Sequence, residues 1–420
     1  MEELFLVINS IDYLVIFHLL RKRFGWGNLG VLYFLFYTIL SFLSIHLYIT
    51  GTPNLFDWKE INLFPLLYQQ FFIAIFCILL ARIDYKAEYI AQPQSYIIYL
   101  VYVFVITFSL LDIINVWEDF STGIILLATD DQYGAELYND LSEMVYTTRS
   151  GAKQYISVIA NITKHLAPIL FLHYMAYPKK NIFILLGLGC SSLVSIMSAI
   201  SIGSRLGIVQ EMMNIIGGIW LMRRFYSRRI ILWMRPIGIA FGTIIMIGFL
   251  SITLSRAGKT NINPLSFVES YASQSFLYFG SHGFNNEQIR YGDRTIPLLK
   301  SIFAKDVARS YIDRVDKYKK MKINEKVFVS FVGDCVFDYG VIGGTIFLFL
   351  LYSMFRTLLL PIGETLYFDK VVLTYMLIWL LNGFYAWPYS DFGGNLSFIS
   401  LLLLSLFFRK SRKSYVYKQK

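Results

Sequence analysis

Charge is scarce in this chain of 420 residues. Asp, Glu, Lys and Arg together make up 16% of it, against about 25% in soluble domains. Apolar residues reach 56% and the mean hydropathy is +0.54. A water-soluble fold built from this composition has too little polar surface to cover its core. Cysteine is nearly missing. Cys77, Cys190 and Cys335 lie within or beside apolar runs, so they read as small hydrophobes, with neither a disulfide framework nor a thiolate metal site. Intrinsic disorder is excluded by the low charge and by an aromatic content of 17%. The sequence also contains no GxxxxGK[ST] loop, no strand followed by GxGxxG and no DxD pair. Hydrolysis of a cytoplasmic nucleotide and a metal-held nucleotide sugar therefore have no visible seat.

What is abundant is long apolar runs. A bilayer-crossing helix needs about 20 mostly apolar residues. Eleven runs qualify, at 4–20, 29–50, 63–81, 96–117, 155–177, 182–201, 205–222, 236–254, 333–355, 371–387 and 392–408. The last two are short, with a re-entrant path as the alternative.

Orientation follows from basic residues. Glu2 and Glu3 precede the first run and Arg21-Lys22-Arg23 follow it. This is the reverse of a cleavable signal peptide, so the run is expected to be retained with its N-terminus outside. Alternating from there, 20 of the 38 Lys and Arg fall on inside segments and four on the short outside ones. That bias, rather than nucleic acid, accounts for the net charge of +10. The long segment 255–332 holds 13 more, and long loops are exempt from the rule. The expected layout is all-α and polytopic: eight spans in 1–254, an outside loop at 255–332, three spans in 333–408 and a basic cytoplasmic tail at 409–420.

Candidate chemistry clusters on the outside. The stretch 270–294 mixes aromatics and amides with His282, Arg290 and Arg294, the residue types that stack on sugars and hydrogen-bond to hydroxyls; an ordinary solvated loop is the plain alternative. Across 296–322, Phe303, Val307, Tyr311, Val315 and Tyr318 recur at helical spacing, which predicts one amphipathic helix on the bilayer surface or capping the bundle. Arg205 stands in the tight turn Gly203-Ser204-Arg205, above Gly207, Glu211, Asn214 and Gly218, which share one helix face. An always-charged planar fork suits a pyrophosphate; a snorkelling interfacial Arg is the other reading. Asp334 and Asp338, four residues apart at the start of the ninth span, also share a face. They suit a general base or a structural ion pair with a neighbouring cation. Lys164 and His165 fall within the fifth span, and Pro168 leaves the Lys164 carbonyl without its helical partner. They mark a polar cavity or an ion pair with Glu211 or Asp112. His18, His46 and His173 lack ligand spacing, and no metal is expected.

These features together resemble the O-antigen polymerase family. The similar parts are the bundle of about eleven spans, the turn Gly203-Ser204-Arg205, the long loop before a late span, and Asp338-Tyr339-Gly340-Val341-Ile342-Gly343. The related O-antigen ligases share the turn and the acidic-Gly segment. They carry a His-Asn just before that segment, where this chain has Val327-Phe328-Val329-Ser330, which favours polymerase. The resemblance implies a GT-C-like membrane glycosyltransferase in the bacterial inner membrane. Such an enzyme moves a growing glycan from undecaprenyl pyrophosphate onto a fresh lipid-linked repeat unit, without cofactor or metal. For that reaction this chain supplies Arg205, Arg256 and Arg290 as candidates at the pyrophosphate and His282 or Asp338 at the acceptor hydroxyl, with Asp334, Glu211, Lys164 and His165 as further substrate or structural residues. A chain-length regulator and a flippase are the implied partners, alongside the donor and acceptor lipids. A flippase of lipid-linked glycans, an O-antigen ligase and a membrane acyltransferase built on His165 are the competing readings.

Overall fold

A computed structural model describes residues 1–50, 60–93, 95–129, 152–201, 205–234, 236, 238, 242–243, 264–308, 311–321, 327–360, 363–410 and 414–417. These are nearly all helical. Seven helices are long and apolar enough to cross a bilayer: Glu2–Phe24, Leu29–Thr50, Leu63–Lys86, Tyr96–Thr122, Ile182–Ser201, Ser330–Leu359 and Asp391–Arg409. The fifth expected span is broken, and most of the eighth, at 236–254, lies outside the described residues.

The chain forms two compact units. The first comprises Met1–Lys86, Leu265–Pro361 and Met376–Leu396. Here α1 (Glu2–Phe24), α2 (Leu29–Thr50) and α3 (Leu63–Lys86) pack on one another. Acidic Glu2 and Glu3 open α1 and Arg21, Lys22 and Arg23 close it, each set matching the helix dipole. Asn28 caps α2: its Oδ1 accepts from the Gly30 and Val31 amides, while its Nδ2 donates to the Ala81 carbonyl on α3. The Leu29 amide donates to Asp84 at 2.8 Å. α2 thus docks through its first turn onto the backbone of α3. Outward faces are apolar: Leu4, Ile8, Ile11, Val15 and Leu19 of α1 are exposed at helical spacing, as suits a hydrocarbon solvent.

In the second unit, β1 (Tyr89–Pro93) leads into α4 (Ser95–Thr129). α5 (Ala152–Thr163) and α6 (Leu166–Met175) replace the single expected fifth span. The helix breaks at Lys164 and His165, in the turn that Pro168 deprives of a donor. α7 (Ile182–Ser201) packs on α4, α6 and α8 (Arg205–Met222). Gly218 allows α8 its approach; a Cβ there would stand 2.5 Å from the Leu172 side chain.

The segment 255–332, expected as an outside loop with one amphipathic helix, holds more helix than that among its described residues. α9 (Pro264–His282) is a helix with a buried aromatic face of Phe276, Leu277, Tyr278 and Phe279. Ser270, Ser273, Gln274 and Ser275 depress its hydropathy, so it does not read as apolar. The single amphipathic helix expected over 296–322 is two short ones, α10 (Pro297–Phe303) and α11 (Tyr311–Lys317). Its stripe does not share one face either: Phe303 is exposed and Tyr318 buried.

α12 (Ser330–Leu359) is kinked at Gly340, whose φ of 71° and ψ of 174° belong essentially to glycine. Before the kink every residue from 330 to 338 is buried; after it, Ile342, Ile346, Phe349 and Leu350 form an exposed apolar stripe. β2 (Thr365–Leu366) pairs parallel with β1, and β3 (Ser414–Tyr417) pairs antiparallel on its other side. α13 (Phe368–Leu381) stops short of the expected 387. Residues 382–390 form a non-helical turn before α14 (Asp391–Lys410). That turn caps α12. The Tyr385 carbonyl accepts from the Val329 and Ser330 amides, and the Gly383 carbonyl from Phe331 at 2.7 Å. Irregular backbone is tolerated in a bundle where its polar groups are paired in this way.

Candidate functional site

The polar centre of the first unit is assembled from three pieces of chain: 290–318, the first turns of α12, and 387–395. Tyr291 and Gly292 both have positive φ, 52° and 83°, and this left-handed pair folds the segment around α12. A side chain at Gly292 would collide with Ile296 and the Tyr339 hydroxyl. The Arg290 amide donates to the Phe337 carbonyl at 3.0 Å. The Arg290 side chain is then driven inward, with only 2% of it exposed.

Its guanidinium joins both aspartates. Nη2 meets Asp334 Oδ1 at 2.9 Å and Nε meets Asp338 Oδ1 at 2.6 Å. The i,i+4 spacing read from the sequence puts the carboxylates one turn apart, as a single planar fork requires. The remaining oxygens are also taken. Asp338 Oδ2 accepts from the amide and hydroxyl of Thr295, each at 2.7 Å, and from the Arg294 amide. Asp334 Oδ2 accepts from the Trp387 amide at 2.7 Å and lies 3.2 Å from Arg294 Nε. The Thr295 hydroxyl bonds Tyr339, and Asn395 of α14 donates to the Thr295 carbonyl at 2.9 Å. Asp338 thus has three donors on Oδ2, while Oδ1 faces the Arg290 guanidinium. Of the two readings open to Asp334 and Asp338, the ion pair with a cation from elsewhere in the chain is the arrangement present.

A third carboxylate, Asp293, organises the adjoining loop. Asp293 is fully buried and receives Lys300, Lys317 (3.0 Å), the Tyr318 hydroxyl and the Ala308 amide. Burial alone would raise its carboxyl pKa; the hydrogen bonds from Lys300, Tyr318, Lys317 and Ala308 outweigh that and hold it below the ordinary carboxylate value. Burial would lower the Lys317 ammonium, but Asp306 and Asp293 raise it further than burial lowers it. The signs fix a pH window. A depressed Asp293 contributes stability that is complete above the unfolded carboxylate pKa of about 3.9 and fades as pH falls through the folded value. A raised Lys317 contributes stability that is complete below about 10.4 and fades as pH rises past it. Thermal unfolding measured across pH should show both limbs, and Asp293→Asn should flatten the acid one. An unchanged acid limb in that variant would remove Asp293 from the account.

Other expected site residues lie elsewhere. His282 is buried at the end of α9, stacked on Tyr278 with ring centroids 6.3 Å apart. In the second unit, His165 Nδ1 lies 3.5 Å from Glu211 Oε1, and Lys164 interacts with the charges of Glu211 and Asp112. Both Glu211 and Asn214 are buried, so the polar face expected on α8 does point inward. The second unit also holds an apolar cavity of about 640 Å³ lined by Phe104, Phe108, Ile162, Leu166 and Leu401. Arg205 begins α8, and its side chain lies outside the described residues, as does Arg256 altogether. Among the described residues no three His, Cys, Asp or Glu are grouped to hold a metal.

Sequence reading missed Asp293, Arg294, Thr295, Tyr318 and Asn395 as parts of one network. Their partners are far along the chain, Arg290 to Asp334 being 44 residues and Thr295 to Asn395 being 100, and no local spacing announces them. The chain matches no protein-family model, no curated protein and no solved structure.

Proposed function

We propose that this chain is a multi-pass membrane glycosyltransferase that polymerises polyprenyl-pyrophosphate-linked repeat units at the outer face of a bacterial cytoplasmic membrane. The finer layout is part of the proposal: eleven spans, N-terminus outside, C-terminus inside. The observation that carries it is the kinked start of α12, where Asp338-Tyr339-Gly340 meets a buried arginine beneath a cation-rich segment. A lipid diphosphate leaving group needs cations to absorb its developing charge and no nucleotide. Arg290 is consumed by Asp334 and Asp338, so its part is to hold the loop. Arg294, partly exposed and fixed through its amide on Asp338, is the better pyrophosphate ligand in this unit, with Arg205 and Arg256 kept as candidates from the resemblance. His282 is left as the base for the acceptor hydroxyl.

The test is direct. Purified protein given lipid-linked repeat units in detergent should convert them to a ladder of polymers. Arg205→Ala, at unchanged protein level, should leave single-repeat material only. Full-length polymer from that variant would exclude Arg205, and absence of any covalent product from the parent would exclude the reaction. A flippase of lipid-linked glycans is the second reading. It draws on the buried Lys164, His165, Glu211 and Asp112 at a broken helix, a feature that transporters use. It predicts movement of the lipid with no ladder.

A further inference from the structure

The short helix α10 is amphipathic in the wrong sense for a helix exposed to water. Leu299, Ile302 and Phe303 are 41%, 68% and 88% exposed, and their spacing of three and one puts them on one face. The rest of the helix faces the protein: Pro297 is buried, Lys300 turns back to Asp293, and the Leu298 amide donates to Asn395 Oδ1 at 3.2 Å. A helix in water buries its apolar face and exposes its lysine; this one does the reverse.

Its anchorage says what covers that face. Thr295, two residues before the helix, bonds the Tyr339 hydroxyl at 2.7 Å, next to the Gly340 kink from which the exposed apolar half of α12 runs. Asn395, in the first turn of α14, holds both Thr295 and Leu298. α10 is therefore tied to the kink of α12 and to the beginning of α14, two helices that are long and apolar enough to cross a bilayer. From 341 to 359, α12 rises about 28 Å at 1.5 Å per residue, close to the hydrocarbon thickness. That places its start, and α10 with it, at the level where hydrocarbon meets headgroups. Lys305, exposed just beyond α10, and Lys319 and Lys320 are cations on the same basic segment. Between 296 and 326 the sequence carries nine Lys and Arg against four Asp and Glu; Lys300, Lys317 and Arg314 are engaged by Asp293 and Asp391, and the exposed lysines complement an anionic surface.

We propose that α10 is an interfacial anchor: Leu299, Ile302 and Phe303 insert into the leaflet of an anionic phospholipid bilayer and hold the Arg290–Asp334–Asp338 network at a fixed depth. The inference rests on the membrane reading of α12 and α14 and is independent of the chemistry catalysed. Insertion of about 5–10 Å is usual for such helices.

Spin labels decide it. In a Cys190→Ser background, where Cys77 and Cys335 are buried, labels are placed singly at Leu299→Cys, Phe303→Cys and, as a membrane reference, Ile346→Cys. All three positions are exposed, so no packing is removed. The protein is reconstituted in vesicles of equal phosphatidylcholine and phosphatidylglycerol. The expected result is greater collision with oxygen than with a water-soluble nickel chelate at 299 and 303, as at 346. Nickel exceeding oxygen at 299 and 303 while 346 stays lipid-exposed overturns the anchor and leaves the membrane reading intact. Shielding from both reagents means a protein partner and overturns it as well. Nickel dominance at 346 too would sink the membrane reading, and the anchor with it.

Discussion

Replacing Arg290 by Ala should destabilise the first unit by about 3 kcal/mol or more, read as a lower unfolding temperature in detergent and a lower folded yield. Removing one partner of a buried ion pair typically costs about 3–5 kcal/mol, because the stranded charge has neither water nor counter-ion. Here one deletion strands two carboxylates a single turn apart, Asp334 and Asp338, both fully buried. The loss falls toward the lower end because each keeps other donors: Thr295 and the Arg294 amide on Asp338, Trp387 and Arg294 Nε on Asp334. Arg290→Lys keeps the charge but has no planar fork to span both acids, so it should recover only part of the loss. Arg290→Ala combined with Asp338→Asn should be less harmful than the two single changes added together, since the second removes the charge that the first exposes. A loss of under about 1 kcal/mol for Arg290→Ala would show that the pair is solvated in the working protein.

The second large effect is expected where there is no charge at all. Gly30→Ala should disrupt the α2–α3 contact, because its Cβ would lie 2.3 Å from the Cys77 carbonyl oxygen and 2.5 Å from the Ala81 nitrogen. Those atoms are helix backbone and cannot rotate aside. Separating the helices to make room stretches the Asn28–Ala81 and Leu29–Asp84 hydrogen bonds that dock them. Overpacking typically costs about 1–3 kcal/mol; with two docking bonds lost as well, the upper end or beyond is expected. Gly25→Ala is the control. Nothing lies within 4 Å of a Cβ there, but φ is +84°, so only backbone strain is added. Thermal unfolding of the two variants should therefore differ, with Gly30→Ala the worse. Equal losses would show that α2 and α3 can separate freely.

Local signals in the sequence were read with different success for different forces. Apolar run length gave 29–50, 182–201 and 205–222 their observed bounds, since burial and lipid exposure both follow the same composition. The i,i+4 rule found Asp334 and Asp338 on one face, and Glu211 with Asn214 on another. What it could not give was the partner. Arg290 reads in sequence as a cation free to grip a phosphate; in the fold it is the counter-ion of α12. α9 was hidden because its serines and Gln274 dilute a buried aromatic face, so a helix looked like a loop. The break at Lys164 was foreshadowed by Pro168, whereas the one at Gly340 was not, because α12 keeps its apolar character straight through it.

The turn at 382–390 also sets an order of assembly. The first amides of α12 find their partners in Gly383 and Tyr385, and Asp334 takes a further donor from Trp387, some fifty residues downstream. During synthesis, the helix carrying both aspartates emerges before the segment that completes it. A chain stopped at 381 would hold every cation of the network and still be unable to close it, so the centre matures among the last events of biogenesis.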